Sequence, residues 1–374
     1  MNFNPFIING YESDKYFCDR EVETEQLIKE LTNGNNVALI APRRMGKSGL
    51  IKHCFAQKAL TDNFYTFYVD IYATRSLSEF VFRLSKEILS RLKPFGLKAL
   101  QRFWECIRSL QSGISFSPLG EVSFTLQVGD IVQSENSLTE IFQYLSHADR
   151  PCIVAFDEFQ QICTYDDKNV EALLRTYVQQ CPSARFIFAG SQRHLMTQMF
   201  QSASRPFYQS VSMMHLGSID EGKYEAFAKN LFAESGKTLG EGIVRQVFDI
   251  ANHTTWYIQK LMNTLYAATE HKGLCSSDMT QSALDYVINT LDFGYREIMF
   301  RMPEKQRQLL IAIAKEGVAS SLTSGEFVKK YRLSSTSSVQ SAAKGLLNKD
   351  YISHEQGKYF VYDIFFAIWL RREY

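Results

Sequence analysis

Residues 37–48, Val37-Ala38-Leu39-Ile40-Ala41-Pro42-Arg43-Arg44-Met45-Gly46-Lys47-Ser48, join a short apolar run to a basic loop that ends in Gly-Lys-Ser. The apolar run reads as a strand, and the stretch from Gly46 to Leu60 after it reads as a helix. The spacing fits G-x-x-x-x-G-K-[ST], with Ala41 in place of the first glycine. A loop of this kind turns its backbone N–H groups inward around a phosphate, and Gly46 lets the chain approach closely at the helix N-terminus. Lys47 would reach the β- and γ-phosphates and Ser48 would join a Mg2+ shell. Pro42, Arg43, Arg44, Met45 and Gly49 would complete the cradle. At the outer edge of the loop, alanine needs only a modest backbone accommodation.

Four further runs extend the pattern: FYTFYVDIY (64–72), PCIVAFD (151–157), RFIFAG (185–190) and the weaker VSMMHL (211–216). They alternate with helix-like stretches such as SLSEFVFRLSKEILSRL and NVEALLRTYVQQC. Such alternation predicts an α/β fold, with a parallel sheet covered on both faces. The third run closes on Asp157 and Glu158. Asp157, at the strand end, is placed to hold Mg2+ through water, and Glu158 to polarise an attacking water. One strand lies between the loop and this acidic pair, which marks P-loop NTPases of spatial strand order 5-1-4-3-2. The fourth run ends at Ser191-Gln192-Arg193, beside the acidic strand. Ser191 or Gln192 suits a sensor of the γ-phosphate, and Arg193 or Arg205 an arginine that stabilises transition-state charge. An inserted β-hairpin is expected at about 112–128, around Pro118-Leu119-Gly120, after a helix-like LKALQRFWECIRSL. Its expected role is structural or partner-binding.

Composition narrows the classes further. At roughly 100–200 residues per domain, a chain of 374 residues should hold two or three domains. The balance of 41 Lys+Arg against 40 Asp+Glu excludes a globally basic nucleic-acid wrapper. The seven cysteines form no C-x-x-C pair, which points to free thiols in a cytoplasmic setting and away from zinc. MNFNPFIING has neither a basic nor an apolar signal region, so no secretion signal is expected. YFVYDIFFAIWL, the longest mostly apolar run, carries Asp363 and falls well short of the ~20 residues of a membrane span.

From about Asp220 helical periodicity takes over and strand signals vanish. From Met302 three helix-like stretches precede a hairpin turning at Gln356-Gly357, the arrangement of a winged helix. The resulting plan is an ATPase-type core over 1–219, a helical lid over 220–300 and a winged helix over 301–374. Residues 300–374 hold 12 Lys+Arg and seven Asp+Glu, so this segment carries +5 and the remainder −4. That excess permits DNA contact through Lys344 and Lys349, although no arginine in the third helix offers bidentate guanine reading. Packing or protein interaction is the favoured role of this domain.

Several segments together resemble the archaeal-type ATPase family of STAND-like, AAA-related P-loop proteins, in the form also found in Bacteroides-like bacteria. They are NPF near the start, Tyr16-Phe17-Cys18-Asp19-Arg20-Glu21, APRRMGKS, FDEF, AGSQRHLM, RPFYQS, TTWYIQKL and the closing YFVYDIFFAIWLRR. The resemblance spans essentially the whole chain. It implies a base or ribose role for Phe17 and Arg20, and ATP as the nucleotide; no N-K-x-D guanine-reading motif follows the fourth strand. Family members usually carry a Gly-x-Pro-like turn before the Y-x-x-Q helix, whereas Asn252-His253-Thr254-Thr255-Trp256 stands here without proline. The expected function is a cytoplasmic, Mg2+-dependent ATPase acting as a conformational switch, with Lys47, Asp157 and Glu158 as its catalytic set. The alternative is a nucleotide-bound DNA-binding regulator with little or no turnover. A phosphoryl transferase is disfavoured, because no acceptor pocket can be named.

Overall fold

Among the described residues, the strands up to residue 215 are β1 Val37–Ile40, β2 Tyr65–Asp70, β3 Ile114–Phe116, β4 Val122–Phe124, β5 Cys152–Asp157, β6 Ala184–Gly190 and β7 Ser212–His215. In the computed structural model, which describes residues 3–92, 114–116, 122–124 and 133–374, five of them form one sheet in the order β2-β5-β6-β1-β7. Each neighbouring pair is parallel. With the hairpin strands left out of the numbering, this is the expected order read from the opposite edge. β3 and β4 pair antiparallel, with Ser115 opposite Ser123. The helix expected over LKALQRFWECIRSL and the turn at Pro118-Leu119-Gly120 lie outside the described residues.

β1 and β5 are buried at every position, as strands covered on both faces must be. Successive residues point to opposite faces, and the two faces differ in kind. On one, Phe67, Phe156, Phe186 and Phe188 meet Phe80, Phe142, Phe159 and Phe200 from the overlying helices and turns. Rings of Phe156 and Phe186 lie 6.3 Å apart and nearly coplanar in orientation, at 5°. On the other face, smaller side chains such as Ala155, Ala189 and Leu39 let α1 (Glu21–Thr32) and α2 (Lys47–Ala56) settle closely through Leu27, Leu50 and Ile51. At about 1.5–3 kcal/mol for each fully buried large apolar side chain, the aromatic face anchors the strands whose C-terminal ends carry the polar residues described below.

By its contacts the chain divides into two units, Asn9–Asp220 and Met1–Ile8 with Glu221–Tyr374. Residues 3–8 thus join the C-terminal half and not the core over 1–219 anticipated from sequence. Phe6 explains this: it is fully buried against Phe227, Phe232 and Tyr266. Asn4 donates to the Asn263 carbonyl at 2.9 Å, and Asn263 donates back to the Phe6 carbonyl at 2.8 Å. Helices over Glu221–Glu234, Ile243–Ile250, Thr255–Ala268 and Asp278–Arg301 fill the following stretch. Strands were not expected there, yet Thr238–Leu239 and Leu274–Cys275 pair in parallel. Two residues are too few to leave a periodic signal in sequence.

The winged-helix elements are helices Glu304–Glu316, Gly325–Lys330 and Thr336–Asn348, then the antiparallel strands Ile352–Glu355 and Lys358–Val361. Gln356 (φ +50°) and Gly357 (φ +77°) are both left-handed, as a two-residue hairpin turn requires. The last apolar run becomes the helix Ile364–Glu373, capped by Asp363, which accepts from the Phe365 and Phe366 amides. Its aromatic residues pack within the same unit: Phe366 stacks on Tyr295 at 4.6 Å, and Trp369 donates to Asp292 at 2.8 Å. Among the described residues, no helix is long and apolar enough to cross a membrane.

Candidate nucleotide site

β1 delivers the chain into the loop at the C-terminal edge of the sheet, where α/β folds bind ligands. Ala41 is fully buried, its N–H donates to the Gly190 carbonyl at 3.3 Å, and its φ is not positive. Glycine is therefore not needed at this position. Gly46 is different: it takes φ +95° immediately before α2 begins at Lys47. Arg44 is also left-handed, at φ +69°. A helix leaves the N–H groups of its first turn without intrahelical partners, so the start of α2 at the end of the loop is a setting that favours an anion.

The acidic strand end meets this helix. Ser48 Oγ donates to Asp157 Oδ2 at 2.6 Å, and the Tyr68 hydroxyl donates to the same oxygen. Asp157 Oδ1 accepts from the Glu158 N–H at 3.0 Å. Lys47 Nζ lies 3.7 Å from Glu158 Oε1, and Lys47 and Asp157 are each only 5% exposed. Glu158 Oε2 accepts from Ser191 Oγ and from Gln160 Nε2, both at 2.5 Å. Glu158 holds φ +57°, an uncommon conformation for a residue with a side chain, which turns its carboxylate off the end of β5. Lys47, Ser48, Asp157, Glu158 and Ser191 thus come together from the start of α2 and the C-terminal ends of β5 and β6.

Tyr68, Asp70 and Gln160 were not singled out from the sequence. Tyr68 is one position in an alternating strand, and only the register that sets Asp70 beside Asp157 reveals its neighbour. Burial, then the Asp157 charge, pushes the Tyr68 hydroxyl well above its ordinary range, so it stays a proton donor. Loss of solvent around Asp70, with Asp157 and Glu158 nearby, pushes its carboxyl upward as well. Ser48 and Asp157 are two hard oxygen donors at a helix N-terminus, a set that suits Mg2+ shared with phosphate oxygens.

Phe17 reaches α2 from the N-terminal side. Its ring stacks on His53 at 4.3 Å and 19°, and a Cβ on Gly49 would stand 3.4 Å from it. Arg20 is buried and left-handed at φ +80°. Its guanidinium donates to the Gly217 carbonyl and Glu23 carboxylate at 2.7 Å each, and to the Met45 and Ser218 carbonyls at 3.5 Å. Arg20 therefore ties the start of α1 to the Met45 carbonyl of the basic loop and to the Gly217 and Ser218 carbonyls. His53 Nδ1 sits 3.1 Å from Asp14, yet burial outweighs that carboxylate and lowers the imidazole from 6.5. The unfolded chain then takes up the proton first, so stability should fall as pH drops through about 6.5. In urea unfolding, His53→Gln should flatten the loss of stability between pH 7 and pH 5.5.

Other candidates lie apart from this cluster. Arg205 pairs with Glu171 and donates to Cys163 Sγ at 3.1 Å. Gln192 and Arg193 are exposed at the start of the helix Arg193–Gln201. Arg43 stands over the Tyr72 ring at 5.2 Å. Separately, Gln340, Lys344, Asn348, His354 and Tyr359 help line a groove of about 470 Å3 between the third winged-helix helix and its hairpin. Lys349 is exposed at the end of that helix.

Residues 17–275 match the family described as an ATPase domain predominantly from Archaea, and residues 293–372 match a "probable winged helix domain". No curated protein matches the chain. Among solved structures, it resembles the Walker-type ATPase PABY2304 of Pyrococcus abyssi at 19% identity and TM-score 0.66, over 98% of this chain and 99% of that one. The Aeropyrum pernix ORC2 protein in its ADPNP–ADP complexes is similar at 12% identity and TM-score 0.60, over 99% and 97%. The Aeropyrum pernix ORC1 protein in complex with DNA is similar at 11% identity and TM-score 0.51, over 96% and 93%. At these identities the likeness establishes the fold. The loop, the acidic strand end and the sheet order agree with the family match over most of the chain: the protein belongs to the family of ATPase domains found predominantly in Archaea.

Proposed function

We propose that this chain binds ATP with Mg2+, hydrolyses it, and uses the cycle as a conformational switch of the STAND-like, AAA-related kind. The observation that carries the reading is the convergence of Lys47, Ser48, Asp157, Glu158 and Ser191 on one side of Gly46. The family match and the nucleotide held by the ORC2 relative support it.

In this reading Lys47 and the loop N–H groups neutralise the β- and γ-phosphates, and Phe17 flanks the base. Ser48 and Asp157 would hold Mg2+, which supplies charge neutralisation between the phosphates. Glu158 accepts a proton as water attacks the γ-phosphorus; the bond to the bridging oxygen breaks and ADP leaves with that electron pair. Ser191 reports the γ-phosphate, because its hydroxyl already faces the same carboxylate. Arg193 remains a candidate for transition-state charge, and Arg205 would first have to leave Glu171. The core, helical and winged-helix parts move as ATP is replaced by ADP, in a cytoplasmic protein whose described cysteines form no disulfide. Steady ATP turnover that disappears in Glu158→Gln while ATP binding persists tests the reading.

A second reading, a nucleotide-bound DNA-binding regulator, is favoured by Lys344 in the winged-helix groove and by the DNA bound to the ORC1 relative. It predicts salt-sensitive binding to duplex DNA, weakened by roughly 1–2 kcal/mol, about tenfold, in Lys344→Ala plus Lys349→Ala. A fluorescence-anisotropy titration at two salt concentrations measures it. Equal binding by wild type and double variant would remove this reading. Contact between the groove or the inserted hairpin and a protein partner is the outcome left by that result.

A further inference from the structure

Gln160 is the residue of the acidic strand end whose placement local packing does not explain. It lies in the short helical turn Phe159–Thr164 and is 4% exposed. Its Nε2 donates to Glu158 Oε2 at 2.5 Å and stands 3.5 Å from Ser191 Oγ. Its Oε1 is buried and, among the described residues, has no hydrogen-bond partner. The amide cannot be reversed, because Oε1 would then face a carboxylate, two acceptors with no proton between them. A buried acceptor left unpaired is costly, and an apolar side chain of the same shape would avoid that cost. The backbone makes room for the arrangement: a Cβ on Gly190 would come within 2.6 Å of Gln160 Oε1 and 2.4 Å of Met196 Sδ. The strand next to the acidic one thus ends in the residue that lets the amide stay where it is.

Among the described residues, the polar side chains paired with Glu158 are those of Lys47, Ser191 and Gln160. On the ATPase reading, two of them are called away by the substrate: the γ-phosphate draws Lys47 and engages Ser191. Gln160 is the one left. We propose that Gln160 is the positioning residue of this site, holding the Glu158 carboxylate toward the attacking water once the phosphate has taken Lys47 and Ser191. This inference rests on the ATPase reading and names how its water-activating group is kept in line. The amide touches neither water nor phosphate; it acts through Glu158 Oε2. A carboxylate released from it would still be present but misdirected, and misplacement by about 1 Å can cost ~100-fold in rate.

The test is Gln160→Met, which keeps length and volume but removes the donor. The full chain is assayed for ATP affinity, KM and kcat, alone and in the Glu158→Gln background. The expected result is a fall of at least tenfold in kcat, with KM and ATP affinity within threefold of wild type and a Tm equal to or above it. In the Glu158→Gln background, single-turnover measurements should show a residual rate changed less than twofold, because the group through which Gln160 acts is gone. Gln160→Asn keeps the amide but draws it back by one methylene, so it should show the same loss of kcat should the methionine variant fold poorly. Unchanged kcat in these variants overturns the assignment while the ATPase reading stands. So does an equal loss in the Glu158→Gln background, which would make Gln160 a structural residue. Absence of turnover in the wild type overturns the ATPase reading and this assignment with it.

Discussion

Lys47→Ala loses ATP affinity on the order of 100-fold. A charged hydrogen bond contributes about 1.5–3 kcal/mol, and every 1.4 kcal/mol is about tenfold in affinity. Here the lysine is 5% exposed, so its charge meets phosphate with little screening by water. A second loss adds to the first. Glu158 Oε1 sits 3.7 Å from Lys47 Nζ, and without that ammonium a carboxylate faces the incoming phosphate with its charge unopposed. Lys47→Arg retains the charge on a larger, planar head that the first turn of α2 was not shaped to hold. It should recover only part of the affinity. Titration with a fluorescent ATP analogue reads both variants, and affinity close to wild type in Lys47→Ala would place the nucleotide elsewhere.

Glu158→Gln separates binding from chemistry. A positioned general base contributes about 10²–10⁴-fold to rate, so turnover should fall by at least ~100-fold. Removing the negative charge beside Lys47 does not weaken phosphate binding, so affinity for ATP should hold or rise slightly. The substituted amide still fits between Gln160 and Ser191, which argues against a folding defect. A variant that loses turnover and ATP affinity together would point to a role for Glu158 in substrate binding. One that loses neither would give the water-activating role to another group, with Asp70 the nearest carboxyl in register beside Asp157.

The basic loop before α2 and the acidic pair were legible because each is local. Gly46, Lys47 and Ser48 are adjacent in sequence, as are Asp157 and Glu158, and each follows a run apolar enough to be a buried strand. Sheet order followed from the single strand that separates them, and the structure has that order. What escaped detection depends on distant parts of the chain. Phe6 belongs with Phe232 and Tyr266, more than two hundred residues away, and nothing in NPF tells which core it will enter. Arg205 has a charge suited to a phosphate, but Glu171 on the helix Val170–Gln179 holds it. For Arg20 the family resemblance implies a base or ribose role, carried by the segment Tyr16 to Glu21. Its left-handed backbone directs the guanidinium to the Met45 and Gly217 carbonyls. Gln160 carries no sequence signal beyond standing two residues after Glu158; its meaning lies in one buried amide and in the glycine that accommodates it.

The total charge of +1 conceals a division that bears on the second reading, since the excess of +5 sits in residues 300–374. Lys344 lines the winged-helix groove and Lys349 stands at the end of the same helix. Two lysines, with no arginine in the helix Thr336–Asn348, suit phosphate contact more than base reading. A DNA role, if measured, should therefore be weak in sequence preference and strong in salt dependence.

Phosphate release from ATP by the purified full chain, with Mg2+ and then with the metal chelated, tests the central claim most directly. The account predicts steady release by the wild type, abolished by chelation and at least ~100-fold lower in Glu158→Gln. Release by the wild type no faster than by Glu158→Gln would contradict it.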